Sequence, residues 1–101
     1  RSLKALTVML RLFCFIEKTM FTTYILYSKS KDSFYIGHTK NIEDRLKRHN
    51  TGRSKSTKHG KPWTIVYTLE FETKSEAYQN EMYIKKQKSR AFIKKLINTI
   101  K

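Results

Sequence analysis

The chain has 101 residues, enough for one domain with a modest core and too few for a separate regulatory module. Its 22 lysines and arginines against 8 acids give a net charge of +14, which indicates a polyanionic partner such as nucleic acid but carries no information about catalysis. The single cysteine, Cys14, excludes an internal disulfide and a zinc site built from several thiolates.

The first 19 residues differ in character from the rest of the chain. Their apolar stretch is interrupted by Lys4 and Arg11 and falls short of the ~20 residues that span a bilayer. No small-residue cleavage site precedes Met20, which argues against a secretory signal. We therefore expect residues 1–19 to be a leader or a non-native extension and residues 20–101 to form the domain. The protein is expected to be cytoplasmic, with no membrane association.

Strand and helix signals alternate along the remaining sequence. Runs of β-branched and aromatic residues predict three strands, the first two joined as a hairpin: Thr22–Ser28, Phe34–Gly37 and Trp63–Phe71. Three N-cap residues predict helices: Asn41, with Gly52 closing that helix, Thr73 and Ser89. This order predicts an α/β fold of the α+β type, a small three-stranded antiparallel sheet flanked by helices.

Two tyrosines bracket the predicted hairpin. If the turn pairs Ser28 with Ser33, Tyr24 lies opposite Gly37, and Tyr35 becomes its diagonal neighbour on the same face of the sheet. A glycine inside a strand often marks a place where a ligand approaches the backbone. The pair therefore indicates a candidate site, although ordinary packing is the alternative for tyrosines in strands.

Three charged or titratable residues lie on the predicted helices. Arg45 and His49 are one turn apart and flank the apolar seam of the first helix, with a solvated basic face as the alternative. Glu81 occupies the apolar stripe of the second helix, where a carboxylate is costly unless it is paired or binds a metal ion. An exposed pair with Lys85 is worth only ~0.3 to 0.5 kcal/mol. That pair would not explain a core-facing acid, so we favour metal binding.

In combination, these residues resemble the GIY-YIG endonucleases, especially the short single-domain bacterial type. Thr22-Thr23-Tyr24 stands where the family has Gly-Ile-Tyr, and Tyr35-Ile36-Gly37 matches the second half of its motif. The resemblance extends to about Ile97 through further matching positions: Thr39, Arg45, His49, Asn50, Gly52, Val66-Tyr67, Ala77, Glu81 and Ile84-Lys85. Two features of the family pattern are missing from this sequence. One is the first glycine of the Gly-Ile-Tyr element, and the other is the asparagine that many members carry after the metal-ligand helix.

The resemblance implies a GIY-YIG nuclease fold and an endonuclease that hydrolyses phosphodiester bonds in DNA, with repair and recombination as expected settings. It implies one divalent ion, Mg²⁺ or Mn²⁺, held by Glu81, and no small-molecule cofactor. The scarcity of acids agrees with one ion rather than two. Mg²⁺ also suits a single carboxylate because it keeps several of its water ligands. Oligomeric state and the choice between DNA and RNA stay open at this point, with DNA expected.

The expected mechanism is a hydrolysis in which Tyr24, helped by Tyr35, takes a proton from the attacking water. Free tyrosine has a pKa of about 10, so the pKa of Tyr24 has to fall, and we expect the adjacent Arg45 and the metal-bound phosphate site to favour the phenolate. Arg45 is also expected to stabilise charge on the phosphate oxygens. His49 is expected to bind phosphate or to relay a proton.

A further set of residues is expected to contact nucleic acid. The segment from Thr51 to Pro62 interleaves cations with small residues, which suits the phosphate backbone and reads no bases; solvated charge is the alternative. His38 is a weaker candidate, because strand alternation turns it away from the tyrosine face. The nucleic-acid-binding set is Gly37, His38, Lys47, Arg48, Arg53, Lys55, Lys58, Lys61 and Lys85.

Two other functions are compatible with this sequence. A catalytically inactive, basic nucleic-acid-binding module with the same fold would keep the charge and lose the chemistry, but every expected site residue is present. A basic protein that docks on acidic lipid or on an acidic protein surface through residues 1–19 is the other alternative.

Overall fold

The computed structural model of the protein describes residues 20–99, so the expected leader over residues 1–19 lies outside the described residues. Its strands are β1 (Phe21–Ser28), β2 (Ser33–Thr39) and β3 (Trp63–Phe71). Its helices are α1 (Ile42–Asn50), α2 (Lys74–Gln87) and α3 (Arg90–Thr99), with a short 3₁₀ turn at Lys58–Gly60. Within residues 20–99, no helix is both long and apolar enough to cross a membrane.

The three strands form one antiparallel sheet in the order β2-β1-β3, which confirms the predicted α+β architecture. The predicted hairpin register is also confirmed, because Ser28 pairs with Ser33 and Tyr24 pairs with Gly37. Strand β2 is longer than predicted and extends to Thr39. Since β1 is central, β2 forms an edge of the sheet.

Each face of the sheet packs against different helices. On one face, Ile25 of β1 and Ile36 of β2 form a core with residues of α2 and α3, among them Ile84 and Ile93. On the opposite face, Tyr24 and Leu26 of β1 pack with Trp63 and with the apolar residues of α1. Alternation along the strands separates these two clusters, so neighbouring residues of β1 and β2 belong to different cores.

The helix ends follow the signals in the sequence. The Asn41 side chain accepts a hydrogen bond from the backbone N–H of Asp44 at 3.0 Å, and Thr73 and Ser89 cap α2 and α3 in the same way. Helix α1 ends in a Schellman arrangement in which Gly52 takes a positive φ of 79°. These local features fix where α1 starts and stops and where α2 and α3 start, and hence which of their residues face the sheet.

Asn50, the last residue of α1, joins this helix to the start of β3. Its side-chain amide donates to the carbonyl oxygen of Trp63 at 3.1 Å, and its side-chain oxygen accepts from the backbone N–H of Trp63. One side chain thereby satisfies both backbone groups of Trp63, a residue that is itself buried in the α1 face of the core.

We predict that Asn50→Ala lowers the free energy of unfolding by about 1 to 3 kcal/mol, because it leaves two partly buried backbone groups of Trp63 without partners. Urea unfolding followed by Trp63 fluorescence measures this difference. Asn98→Ala, at an exposed position of α3, is the control and should change stability by less than about 0.5 kcal/mol. Equal unfolding midpoints for the two variants would contradict the assigned role of Asn50.

Candidate active site

A small pocket of about 160 Å³ opens beside Gly37 near the end of β2. Its lining residues come from both strands of the hairpin and from two helices: Tyr24, Tyr35, Gly37, His38, Arg45 and Glu81. A larger groove of about 580 Å³ also contains His38 and Arg45, together with Lys40, Asn41 and Lys74. The small pocket therefore brings together four of the five residues predicted to be catalytic or metal-binding.

The pocket combines side chains from opposite faces of the sheet. Tyr24 and Tyr35 lie on the α1 face, with ring centroids 6.3 Å apart. Glu81 extends from α2, which packs on the other face. Gly37 has no side chain in the space between them, and a Cβ there would lie 2.6 Å from the Tyr24 hydroxyl oxygen. The bare backbone of an edge strand is thus what lets both sets of groups line one pocket.

The Glu81 carboxylate is buried, with 7% of the residue exposed. One of its oxygens is 2.6 Å from Nδ1 of His38, and the other is 2.6 Å from Nζ of Lys85. The pair with Lys85 that the sequence offered as the alternative is therefore present, alongside a second partner. Helix α2 is itself held to the sheet by Thr23, whose hydroxyl donates to the carbonyl oxygen of Ala77 at 2.8 Å.

The donor set around Glu81 suits a particular kind of metal ion. Within residues 20–99 no group of three or more His, Cys, Asp or Glu side chains is arranged to hold a metal. A single carboxylate in a pocket of about 160 Å³ fits an ion that keeps most of its waters and takes its other ligands from a substrate phosphate. Mg²⁺ has these properties, whereas Zn²⁺ in structural sites requires a closed set of protein ligands.

The acidity of Tyr24 differs from the sequence-based expectation, which was a lowered pKa. Burial raises the pKa of Tyr24 to about 12, and the nearby Tyr35 adds to the rise, against an opposing effect of Arg45. The hydroxyl belongs to a residue only 1% exposed, so the cost of burying a phenolate outweighs the attraction of one guanidinium. The expectation of an easily formed phenolate was therefore wrong for the protein without substrate.

His49 is buried beside this phenol and does not lie on a solvated basic face. Its Nε2 lies 3.2 Å from the Tyr24 hydroxyl, and its ring centroid lies 4.8 Å from that of Tyr35. Burial lowers the pKa of His49, and the positive charges of Arg45 and Arg48 lower it further. The imidazole is thus held neutral, and it faces the hydroxyl that the sequence predicted to be the proton acceptor.

The structure separates the residues expected to bind nucleic acid into two kinds. His38 does turn away from the tyrosine face, as alternation predicted, but it turns towards Glu81 and is edge-on to Tyr78. Gly37 is buried in the pocket wall. The remaining members are all exposed side chains: Lys47, Arg48, Arg53, Lys55, Lys58, Lys61 and Lys85.

Thr57 was missed by the sequence analysis. It is 1% exposed, and its hydroxyl oxygen lies 2.7 Å from Nδ1 of His49. Its carbonyl oxygen also accepts a hydrogen bond from the Trp63 ring N–H at 2.8 Å. No local signal distinguishes it, because it stands among serines and lysines in a segment with ordinary loop composition.

Comparison with known proteins identifies the family to which this site belongs. A family model described as the GIY-YIG catalytic domain matches residues 20–96. A UPF0213 protein of Staphylococcus saprophyticus is 47% identical over 64 residues, covering 61% of this chain and 78% of the relative. A UPF0213 protein of Clostridium perfringens is 46% identical over 65 residues, covering 62% of this chain and 70% of the relative.

A solved structure agrees with these relatives. The solution NMR structure of a UPF0213 protein from Bacillus halodurans matches with a TM-score of 0.50 and 33% sequence identity, covering 79% of this chain and 84% of that chain. The matched family region contains the whole sheet, α1, α2 and every residue that lines the small pocket. The chain therefore belongs to the GIY-YIG catalytic domain family, which was predicted from its two tyrosines, its arginine and its helical glutamate.

Proposed function

We propose that this protein is a metal-dependent endonuclease that hydrolyses phosphodiester bonds in DNA. The observation that carries the proposal is the convergence of Tyr24, Arg45 and Glu81 on one pocket of about 160 Å³ beside Gly37. Membership of a family of nuclease domains supports the same activity. DNA repair or recombination, in the cytoplasm, is the setting we propose for it.

The exposed lysine and arginine side chains bind nucleic acid without selecting a base sequence. Lys47 and Arg48 lie on α1, and Arg53, Lys55, Lys58 and Lys61 lie in or beside the following loop. Lysine and arginine side chains bind the phosphate backbone by neutralising charge and releasing counterions, so the affinity falls as salt concentration rises. With a net charge of +14, this contribution is large relative to any base-specific contact.

The pocket residues divide the chemistry between them. Arg45 binds the phosphate oxygens and stabilises the charge that develops on them in the transition state. Tyr24 lies against the attacking water and passes a proton to the buried, neutral His49, because its own raised pKa prevents it from acting as a free phenolate. Glu81 would hold one Mg²⁺ or Mn²⁺ ion, which would supply charge stabilisation at the phosphate. Tyr35 packs against the rings of both His49 and Tyr24 and holds them in position.

A catalytically silent nucleic-acid-binding module is the second candidate, and one observation favours it. Both oxygens of the Glu81 carboxylate already have partners 2.6 Å away, in His38 and Lys85. If these contacts persist in the presence of Mg²⁺, the carboxylate stays occupied and the chemistry fails while the exposed cations still bind DNA.

Incubation of the purified protein with single-stranded, duplex, flapped and branched DNA tests the two candidates directly. We expect cutting with Mg²⁺ or Mn²⁺ and none with chelator. Glu81→Gln should reduce cutting at least ~100-fold and leave salt-dependent DNA binding within about two-fold, because it removes an ion ligand and no phosphate contact.

Glu76→Gln is the matched control, since it makes the same exchange at an exposed position of α2 and should leave the rate of cutting unchanged. Failure of the wild-type protein to cut every substrate with either ion would favour the silent module. Loss of folding in Glu81→Gln, seen as a lost cooperative transition, would instead assign Glu81 a structural role.

The dependence of the cleavage rate on pH tests the assignment of His49 as the proton acceptor. Burial and the neighbouring arginines hold the pKa of His49 below its usual value of about 6.5, so the active neutral form is lost only when pH falls through that lowered value. At the alkaline end, the pKa of Tyr24 of about 12 keeps its hydroxyl protonated. We therefore expect kcat/KM to be flat from about pH 7 to about pH 9 and to fall only on the acid side of about pH 6.5. A rate that climbs steadily through neutral pH would be inconsistent with a buried neutral imidazole as the acceptor.

A further inference from the structure

Thr57 is a buried polar residue that the proposed chemistry does not yet use. Its hydroxyl oxygen lies 2.7 Å from Nδ1 of His49, on the side of the ring opposite the Tyr24 contact. Its backbone is fixed on both sides, since its N–H donates to the carbonyl oxygen of Ser54 at 3.1 Å and its carbonyl oxygen accepts from the Trp63 ring N–H at 2.8 Å. A hydroxyl fixed in this way is placed to select which ring nitrogen of His49 carries the proton.

One assignment of donors and acceptors gives each polar group around the His49 ring a partner. The Thr57 hydroxyl oxygen lies 3.4 Å from the carbonyl oxygen of Ser54, and a carbonyl oxygen can only accept a hydrogen bond. When Thr57 donates to Ser54, its oxygen accepts from His49, and the imidazole proton lies on Nδ1. Nε2 is then an unprotonated acceptor, 3.2 Å from the Tyr24 hydroxyl. At the phenol, the guanidinium of Arg45, which lines the same pocket, can only donate, so Nε2 of His49 is the acceptor beside the phenol proton.

We propose that Thr57 is a positioning residue that holds His49 in the tautomer protonated on Nδ1, so that Nε2 can receive the proton of the Tyr24 hydroxyl. This proposal deepens the proposed nuclease function and rests on it. It adds a residue that the motif positions do not include, and its chemical basis is one buried hydroxyl on a loop between α1 and β3.

The proton transfer that this arrangement serves is balanced within the named groups. As the oxygen of the attacking water forms its bond to phosphorus, one water O–H bond breaks and its proton moves to the Tyr24 oxygen. The original phenol proton moves to Nε2 of His49, which becomes an imidazolium. The P–O bond to the leaving oxygen breaks, and that oxygen takes a proton from solvent. His49 returns its proton to solvent before the next turnover.

The charges around His49 are compatible with this role. Helix α1 presents Arg45 and Arg48, which disfavour the imidazolium, and β1 and β2 present the aromatic rings of Tyr24 and Tyr35. The loop presents the Thr57 hydroxyl. A neutral resting imidazole needs one defined tautomer, and without an acceptor at Nδ1 the proton would be free to occupy Nε2 and block the transfer.

The tautomer of His49 can be measured without any assay of activity, by long-range ¹H–¹⁵N correlation of the imidazole nitrogens in the full chain at neutral pH. The His49 signals are assigned by their loss in His49→Gln. We expect a protonated Nδ1 and an unprotonated Nε2 in the wild-type protein and in Thr57→Ser. In Thr57→Val, which keeps the shape and removes the hydroxyl, we expect Nε2 to gain proton occupancy. A wild-type ring protonated on Nε2, or an unchanged tautomer in Thr57→Val, would overturn the proposal.

Measurements of kcat and KM distinguish a positioning role of Thr57 from a purely structural one. Thr57→Val should lower kcat about 3- to 10-fold with KM unchanged, as expected for one lost hydrogen bond, and Thr57→Ser should recover at least half of the wild-type rate. A change in KM with kcat unaffected would contradict a role through the His49 tautomer. A decrease in kcat equally large in Thr57→Ser would contradict it as well. If the wild-type protein cuts no substrate, the proposed function fails, while the NMR measurement still decides how Thr57 sets the His49 ring.

Discussion

The close approach of a buried phenol to the bare backbone of an edge strand is the constraint on which the rest of the site depends. Tyr24 is 1% exposed and packs so tightly against Gly37 that any side chain at this position would collide with its ring. Because β2 is an edge strand among residues 20–99, no strand of this described region pairs with Gly37 on the side away from β1. Arg45 from one face of the sheet and Glu81 from the other can then line the same pocket. A larger residue at this one position would displace the Tyr24 ring from the pocket wall.

The same burial that positions the phenol also limits what it can do. It raises the pKa of Tyr24 to about 12 and lowers that of His49, so neither group ionises easily and the two are joined by a hydrogen bond of 3.2 Å. A hydroxyl that cannot lose its proton to water can still pass one on to an adjacent neutral imidazole. The polar chain continues inward to Thr57, while Glu81 is held on the other side of the pocket by His38 and Lys85. In the mechanism we propose, proton transfer and ion binding thereby use separate sides of the pocket.

Much of the fold and part of the site could be predicted from sequence because the signals were local. A turn of fixed length sets the hairpin register, which brings Tyr24 opposite Gly37, and an acid in an apolar stripe marks Glu81. The direction of the Tyr24 pKa shift depends on how completely three elements cover the ring, which no local pattern reports. Thr57 was missed for a similar reason, since its hydrogen-bond partners His49 and Trp63 lie on α1 and β3, outside the loop that carries it.

A crystal structure of the protein bound to a DNA oligonucleotide with one uncleavable linkage, grown with Ca²⁺ in place of the active ion, tests the central claim most directly. We expect the uncleavable phosphate to lie in the pocket beside Gly37, contacting Arg45, with an ion between its oxygens and Glu81. The Tyr24 hydroxyl should face the side of the phosphorus opposite the leaving oxygen. A phosphate held only by the cations of the loop, with Glu81 still bound to Lys85 and no ion beside it, would contradict the account.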